Sequence, residues 1–148
     1  MPSIIPSYVY TLFAAVIVGT ILIAMCALAV SDLKSQAEKQ QLSNIANYIA
    51  TKSMKIFSTS PADDLVIESQ LEIPSLIGGK RYWVQIENDT TGVWVEAGFE
   101  AKPITNDQRT FVSFEAVASS VYISGSGPVF LQYKSNSTGS YLTLKGAN

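Results

Sequence analysis

Twenty-three consecutive residues, Tyr8 to Val30, carry no charge, and the first charged side chain of the protein is Asp32. At a helical rise of about 1.5 Å per residue this run is roughly 35 Å long, enough to cross the roughly 30 Å hydrocarbon core of a bilayer. A signal-peptide core would be shorter, about 7 to 15 residues, and would follow a basic region. No Lys or Arg precedes this run. A central helix of a soluble protein would need chain to cover it on all sides, and too little follows it. The run is therefore expected to serve as a membrane anchor or as the core of a filament.

Small residues punctuate it. Ala15 and Gly19 are four apart, and Thr20 and Ala24 repeat that spacing on a neighbouring face. Such spacing lets helices approach closely without lipid between them, so Ala15, Gly19 and Ala24 are the candidate helix-packing positions. Pro6 is placed to mark the helix start, where its missing N–H costs nothing.

The helical pattern continues past the apolar run. Between Ser31 and Ser58 there is no Gly or Pro, and Leu42, Ile45, Ile49 and Ile56 fall at spacings of three, four and seven, which predicts one apolar stripe. A continuous helix of about 50 residues follows. The stripe needs a partner, either the protein's own downstream domain or neighbouring subunits.

Ser58-Thr59-Ser60-Pro61 breaks the helical period, and alternation replaces it. Leu65, Ile67, Leu71 and Ile73 share one parity; Tyr82, Val84 and Ile86 alternate, as do Val93, Val95 and Ala97. Phe111 to Val117, Val121 to Ile123, Val129 to Tyr133 and Tyr141 to Leu144 read as further strands, with Pro103 to Asp107 a longer loop. About seven short strands predict an antiparallel, immunoglobulin-like two-sheet β-sandwich, because no connection is long enough for a crossover helix. The overall class is α+β. Three segments are expected: residues 1–30 as the hydrophobic helix, 31–60 as an amphipathic stalk and linker, and 61–148 as the β-domain. The expected core is Leu71, Ile73, Tyr82, Val84, Ile86, Val95, Phe111, Ile123, Val129, Leu131 and Leu142.

Charge and residue usage narrow the chemistry. From residue 60 onward ten acids face six bases, which gives no basic surface for nucleic acid. Cys26 is the sole cysteine and no histidine occurs, so the commonest general base and metal ligand are missing. No catalytic residue, metal or cofactor is expected. Asp63, Asp64, Glu68 and Glu72 lack the loop spacing of a calcium site and read as solvated charges. Ser124 to Gly127 has phosphate-loop glycines without a following helix and reads as a hairpin turn. Lys80 and Arg81, beside Tyr82 and Trp83, are candidates for gripping a glycan or an anionic surface polymer, with Tyr82 turned inward. Trp83 and Trp94 are the candidate contact surface if exposed. Asn88-Asp89-Thr90 and Asn136-Ser137-Thr138 fit the N-glycosylation pattern and fall in turns between strands.

An uncharged N-terminal helix, an amphipathic continuation and a small β-domain together resemble the layout of archaeal type IV pilin-like proteins, including archaellins and archaellum accessory proteins. The stretch Ile73-Pro74-Ser75-Leu76-Ile77-Gly78-Gly79-Lys80-Arg81-Tyr82-Trp83-Val84-Gln85-Ile86, a strand ending in proline, a Gly-Gly turn and a Tyr-led strand, is similar to a phrase of such domains. The resemblance implies a structural filament subunit, with helices bundled as core and β-domains as outer sheath. It equally accommodates a membrane-retained accessory or stator-like protein whose β-domain binds the surface layer or a filament machine. Partners would be copies of the chain through its helix, membrane lipid before assembly, and surface layer or glycan. The β-domain would lie outside the cell, although Lys34 and Lys39 on the C-terminal side of the run pull towards a cytoplasmic placement. One departure stands out: the basic leader that such proteins carry before the helix is not present, so the leader is already removed or the protein is an uncleaved single-pass anchor.

Overall fold

The computed structural model describes the backbone of residues 4–59, 64–99 and 109–146, with side chains from residue 7. Pro61, Asp63 and the loop from Pro103 to Asp107 lie outside the described residues. The element order is α1 (Ile4–Thr59), β1 (Val66–Leu71), β2 (Tyr82–Asp89), β3 (Gly92–Phe99), β4 (Thr110–Val112), β5 (Val117–Ile123), β6 (Val129–Asn136) and β7 (Gly139–Gly146).

α1 is one helix of 56 residues, and it runs unbroken through 31–58, as the absence of Gly and Pro there predicts. It belongs to two compact units, Met1–Ala37 and Glu38–Asn148. These units divide within the helix, between Ala37 and Glu38, and not near residue 60. The reason is burial: Leu42, Ile45, Ile49 and Ile56 are 3%, 7%, 0% and 8% exposed and share one hydrophobic core with the strands. The stalk from Glu38 onward is part of the β-domain's core.

The strands form one seven-stranded mixed sheet in the order β1-β6-β7-β5-β2-β3-β4, curled as a half-barrel. Helix and strand count agree with the sequence. The two-sheet, wholly antiparallel arrangement does not. The apolar stripe of α1 supplies the second layer that a second sheet would have supplied, so the inner face is covered by helix. β5 and β7 are parallel through Val117↔Tyr141 and Ala118↔Leu142. No crossover helix is needed, because β6 makes the return and pairs with the far side of β7. Beyond Ala118 the pair opens, and the Ser120 hydroxyl accepts a hydrogen bond from the Leu144 N–H at 2.8 Å.

Alternation sorts the side chains. Tyr82, Val84 and Ile86 on β2, Val93, Val95 and Ala97 on β3, and Val129, Leu131 and Tyr133 on β6 enter the core. Phe111 and Ile123, expected inside, are 54% and 56% exposed. Their strands present the other parity: Val112 points inward on β4, and Ala118 and Tyr122 on β5. Ile73 is only partly buried against the core. Near the end of α1, Phe57 stacks on Phe114 at 4.5 Å, with Tyr133 edge-on to both.

The Gly-Gly turn has a packing role. Ile77 and Lys80 exchange backbone hydrogen bonds of 3.0 and 2.9 Å, and Gly78 and Gly79 both have positive φ, 57° and 78°. Only glycine adopts that pair readily. Ile77 is buried, and Lys80 Nζ reaches Glu38 Oε2 of α1 at 2.8 Å. Gly78 lies so close to Glu38 that a Cβ would overlap Oε1, an atom that is buried without a hydrogen-bond partner. A Cβ on Gly79 would meet nothing within 4 Å.

Two outcomes follow. Gly79→Ala bears only the left-handed backbone cost, about 1–2 kcal/mol, whereas Gly78→Ala also displaces a buried carboxylate, so thermal unfolding of Gly78→Ala occurs at the lower temperature. Burial, and secondarily the neighbouring Tyr122 phenol, push Tyr82 up to about 12. A raised value favours the neutral phenol in the folded state, so this stability is complete below about pH 10 and is lost as pH rises towards 12. Alkaline titration followed by circular dichroism should show unfolding in that window, shifted to higher pH in Tyr82→Phe.

Candidate functional site

The largest feature that the fold leaves uncovered is the apolar surface of α1. Tyr8, Phe13, Ile17, Leu22, Ile23, Leu28 and Leu33 are all at least half exposed. This helix is long and apolar enough to cross a membrane, and none of its most apolar window is buried. The two threonines inside the run are neutralised locally: the Thr11 and Thr20 hydroxyls donate to the Ser7 and Val16 carbonyls at 3.0 and 2.8 Å. An apolar surround therefore meets neither threonine hydroxyl unpaired. The sequence reading missed this device, although a threonine four residues after any helical carbonyl signals it. Ala15 and Ala24 are exposed and Gly19 half-exposed, with open space where its Cβ would be. The two small-residue ridges are notches that another helix can enter.

The tryptophans are corrected as a contact surface. Trp83 and Trp94 share the outer face of the sheet but are only 7% and 2% exposed. Trp83 lies across Gly98, where a Cβ would stand 2.6 Å from its ring. Trp94 is roofed by the Arg109 guanidinium, 3.9 Å from the ring centroid. Asp89 ties this corner together, since Oδ2 accepts from Trp94 Nε1 and Arg109 Nη1, each at 3.1 Å, while Oδ1 accepts from the Thr91 N–H and hydroxyl. Hydrogen bonds from Thr91, then those from Trp94 and the charge of Arg109, hold the Asp89 carboxyl below its ordinary value. Strand alternation placed both tryptophans outside the core; the contact that buries Trp94 comes from a residue fifteen positions on.

The remaining candidates are dispersed. Lys80 is engaged with Glu38 and lies over the Phe99 ring at 5.5 Å, the exposed Arg81 lies against Gly125, and Tyr82 is buried, as expected. Asn88 is exposed, and its Oδ1 accepts from the Ala118 N–H at 2.9 Å. Asn136 is half-buried, and its Oδ1 accepts from the Thr138 N–H, the Thr138 hydroxyl and the Gly139 N–H, an Asx turn closing the β6–β7 hairpin. A cleft of about 630 Å³ near these hairpins includes Asp89 and Glu115 in its lining. Asp89 is committed to its own corner, and among the described residues no cluster of His, Cys, Asp or Glu suits a metal ion.

Comparisons with protein families, curated proteins and solved structures returned no match. The functional reading therefore rests on the surfaces just described.

The lowered Asp89 carboxyl stabilises the folded state above the ordinary carboxylate range, and this contribution is lost as pH falls through its folded value. In wild type, acidification below about pH 4 should expose Trp94 to a collisional fluorescence quencher. Asp89→Asn should show that accessibility already at neutral pH.

Proposed function

We propose that this chain is a non-enzymatic structural subunit of an archaeal type IV pilus-like surface filament, with apolar helices bundled as core and β-domains as outer sheath. The observation that carries the reading is the division of α1: its second part is buried in its own domain, whereas the surface from Tyr8 to Leu33 is left bare. Such a surface needs lipid or other helices around it. A subunit would wait in the membrane with its β-domain outside and then exchange lipid for neighbouring helices during assembly. Lipid and helix are about equally apolar, so close packing at Ala15, Gly19 and Ala24 decides between them. Surface layer or glycan would meet the sheath, and glycans at Asn88 and Asn136 would mark the domain as extracytoplasmic.

Electron microscopy of cell-surface fibres, with mass spectrometry of the shed fraction, tests this. Fibres containing the chain are expected. Its absence from fibres, with the protein recovered from detergent-solubilised membranes, would instead identify a membrane-retained accessory protein. Gly19→Leu should sharply reduce fibre yield while leaving the β-domain folded; undiminished fibres would remove the small-residue packing from the mechanism.

A further inference from the structure

Among the described residues β1 and β4 are the two edges of the sheet, and no described strand pairs with the outer side of either. Two hydrogen bonds fix which groups point outward. The Ser135 N–H donates to the Leu65 carbonyl at 2.9 Å, and the Ser124 N–H donates to the Tyr82 carbonyl at 2.8 Å. In an antiparallel ladder both backbone groups of a residue point to the same side, and successive residues alternate. Leu65 faces β6, so Ile67, Ser69 and Leu71 do also, and Val66, Glu68 and Gln70 face away from the sheet. At the other edge Tyr82 faces β5, so Trp83 faces Gly98 of β3. Val93 and Val95 then face β4, where Val112 and Thr110 face back to them. Phe111 is left with its N–H and C=O directed outward.

Strand polarity makes these edges complementary. Crossing the sheet from β1 to β4, direction reverses at every pairing except β5/β7, which gives five reversals. The edges therefore run in opposite directions. A wholly antiparallel sheet of seven strands would have left them running the same way. Because of the one parallel pair, two copies pointing in the same direction can set β1 of one against β4 of the next as an antiparallel pair. An antiparallel β1–β1 pair would instead require one copy to be inverted.

The side chains agree with such a joint. Val66 and Phe111 lie on the outer face, each 54% exposed, and each belongs to a residue whose backbone points outward. β1 has no proline, no lysine and no bulge to block an incoming strand. On its helix side an open groove of about 300 Å³ is lined in part by Lys55, Ile56, Ile67 and Ser69.

We infer that β1 of one copy adds to β4 of a neighbouring copy of this chain, with Val66 opposite Phe111, joining β-domains side by side in a head-to-tail series. The shared orientation of the copies rests on the filament reading, since helices in one membrane or one fibre core hold their domains the same way. β4 is three residues long, so the joint is weak alone. It closes once helix association raises the local concentration of neighbours. A head-to-tail contact of this kind propagates rather than closing as a dimer.

Site-directed cross-linking of the full chain tests the joint, in membranes and in the fibre fraction. In a Cys26→Ser background, Val66→Cys plus Phe111→Cys treated with a short bis-maleimide should give a ladder with rungs about one 16.0 kDa chain apart. Neither single variant should cross-link to itself. Glu68→Pro, which takes away the outward N–H next to the Val66–Phe111 pair on an edge strand, should abolish the ladder without loss of folding. Dimers from Val66→Cys alone would overturn the proposal in favour of a two-fold contact. Fibres without a ladder would overturn it and leave the filament reading standing. A ladder in membranes of cells that make no fibres would uphold the edge joint and remove the filament reading.

Discussion

Leu42, Ile45, Ile49 and Ile56 have to be covered, and the concave face of the sheet covers them. Each fully buried side chain of this kind contributes about 1.5–3 kcal/mol, whereas an isolated helix is marginal in water. The dependence runs both ways. Without the stalk, the inner face of the sheet, from Val84 and Ile86 to Leu131 and Leu142, would be open to solvent. Helix and sheet form one core, and the Gly78–Gly79 turn fastens its start by seating Lys80 on Glu38.

The same helix thereby meets two kinds of surroundings. From Glu38 onward its stripe is satisfied within the chain; from Tyr8 to Leu33 its apolar surface is not. Thr11 and Thr20 return their hydroxyls to the backbone, so the stretch from Thr11 to Val30 presents almost nothing polar to lipid or to another helix. In the proposed filament this division separates two tasks, with the domain folding on its own core and the bare surface left for assembly.

The outer face of the sheet is arranged differently. Trp83 and Trp94 are consumed in covering Gly98 and in packing under Arg109, while Phe111, Val121 and Ile123 remain exposed. The parallel β5/β7 pair sets the relative direction of the two edges, and with it the kind of neighbour each edge accepts.

Local periodicity determined much of this protein. The uncharged run, the stripe at helical spacing and the alternation of Tyr82-Val84-Ile86 and Val93-Val95-Ala97 are legible without a structure, because helix and strand each impose a fixed side-chain period on their own residues. Some strands are less legible: Phe111 lies on a three-residue strand with too little pattern to fix parity, and β5 carries apolar side chains on both faces, Val117, Val121 and Ile123 outside against Ala118 and Tyr122 inside, so its pattern does not say which face is the core. The candidate packing ridge at Ala15, Gly19 and Ala24 was visible as spacing, whereas the burial of Trp94 by Arg109 was not. Which surface covers the stripe, which strand lies beside which, and that β7 inserts between β5 and β6 were decided only by tertiary structure. Those outcomes depend on contacts between residues far apart in sequence, where no local period records the partner.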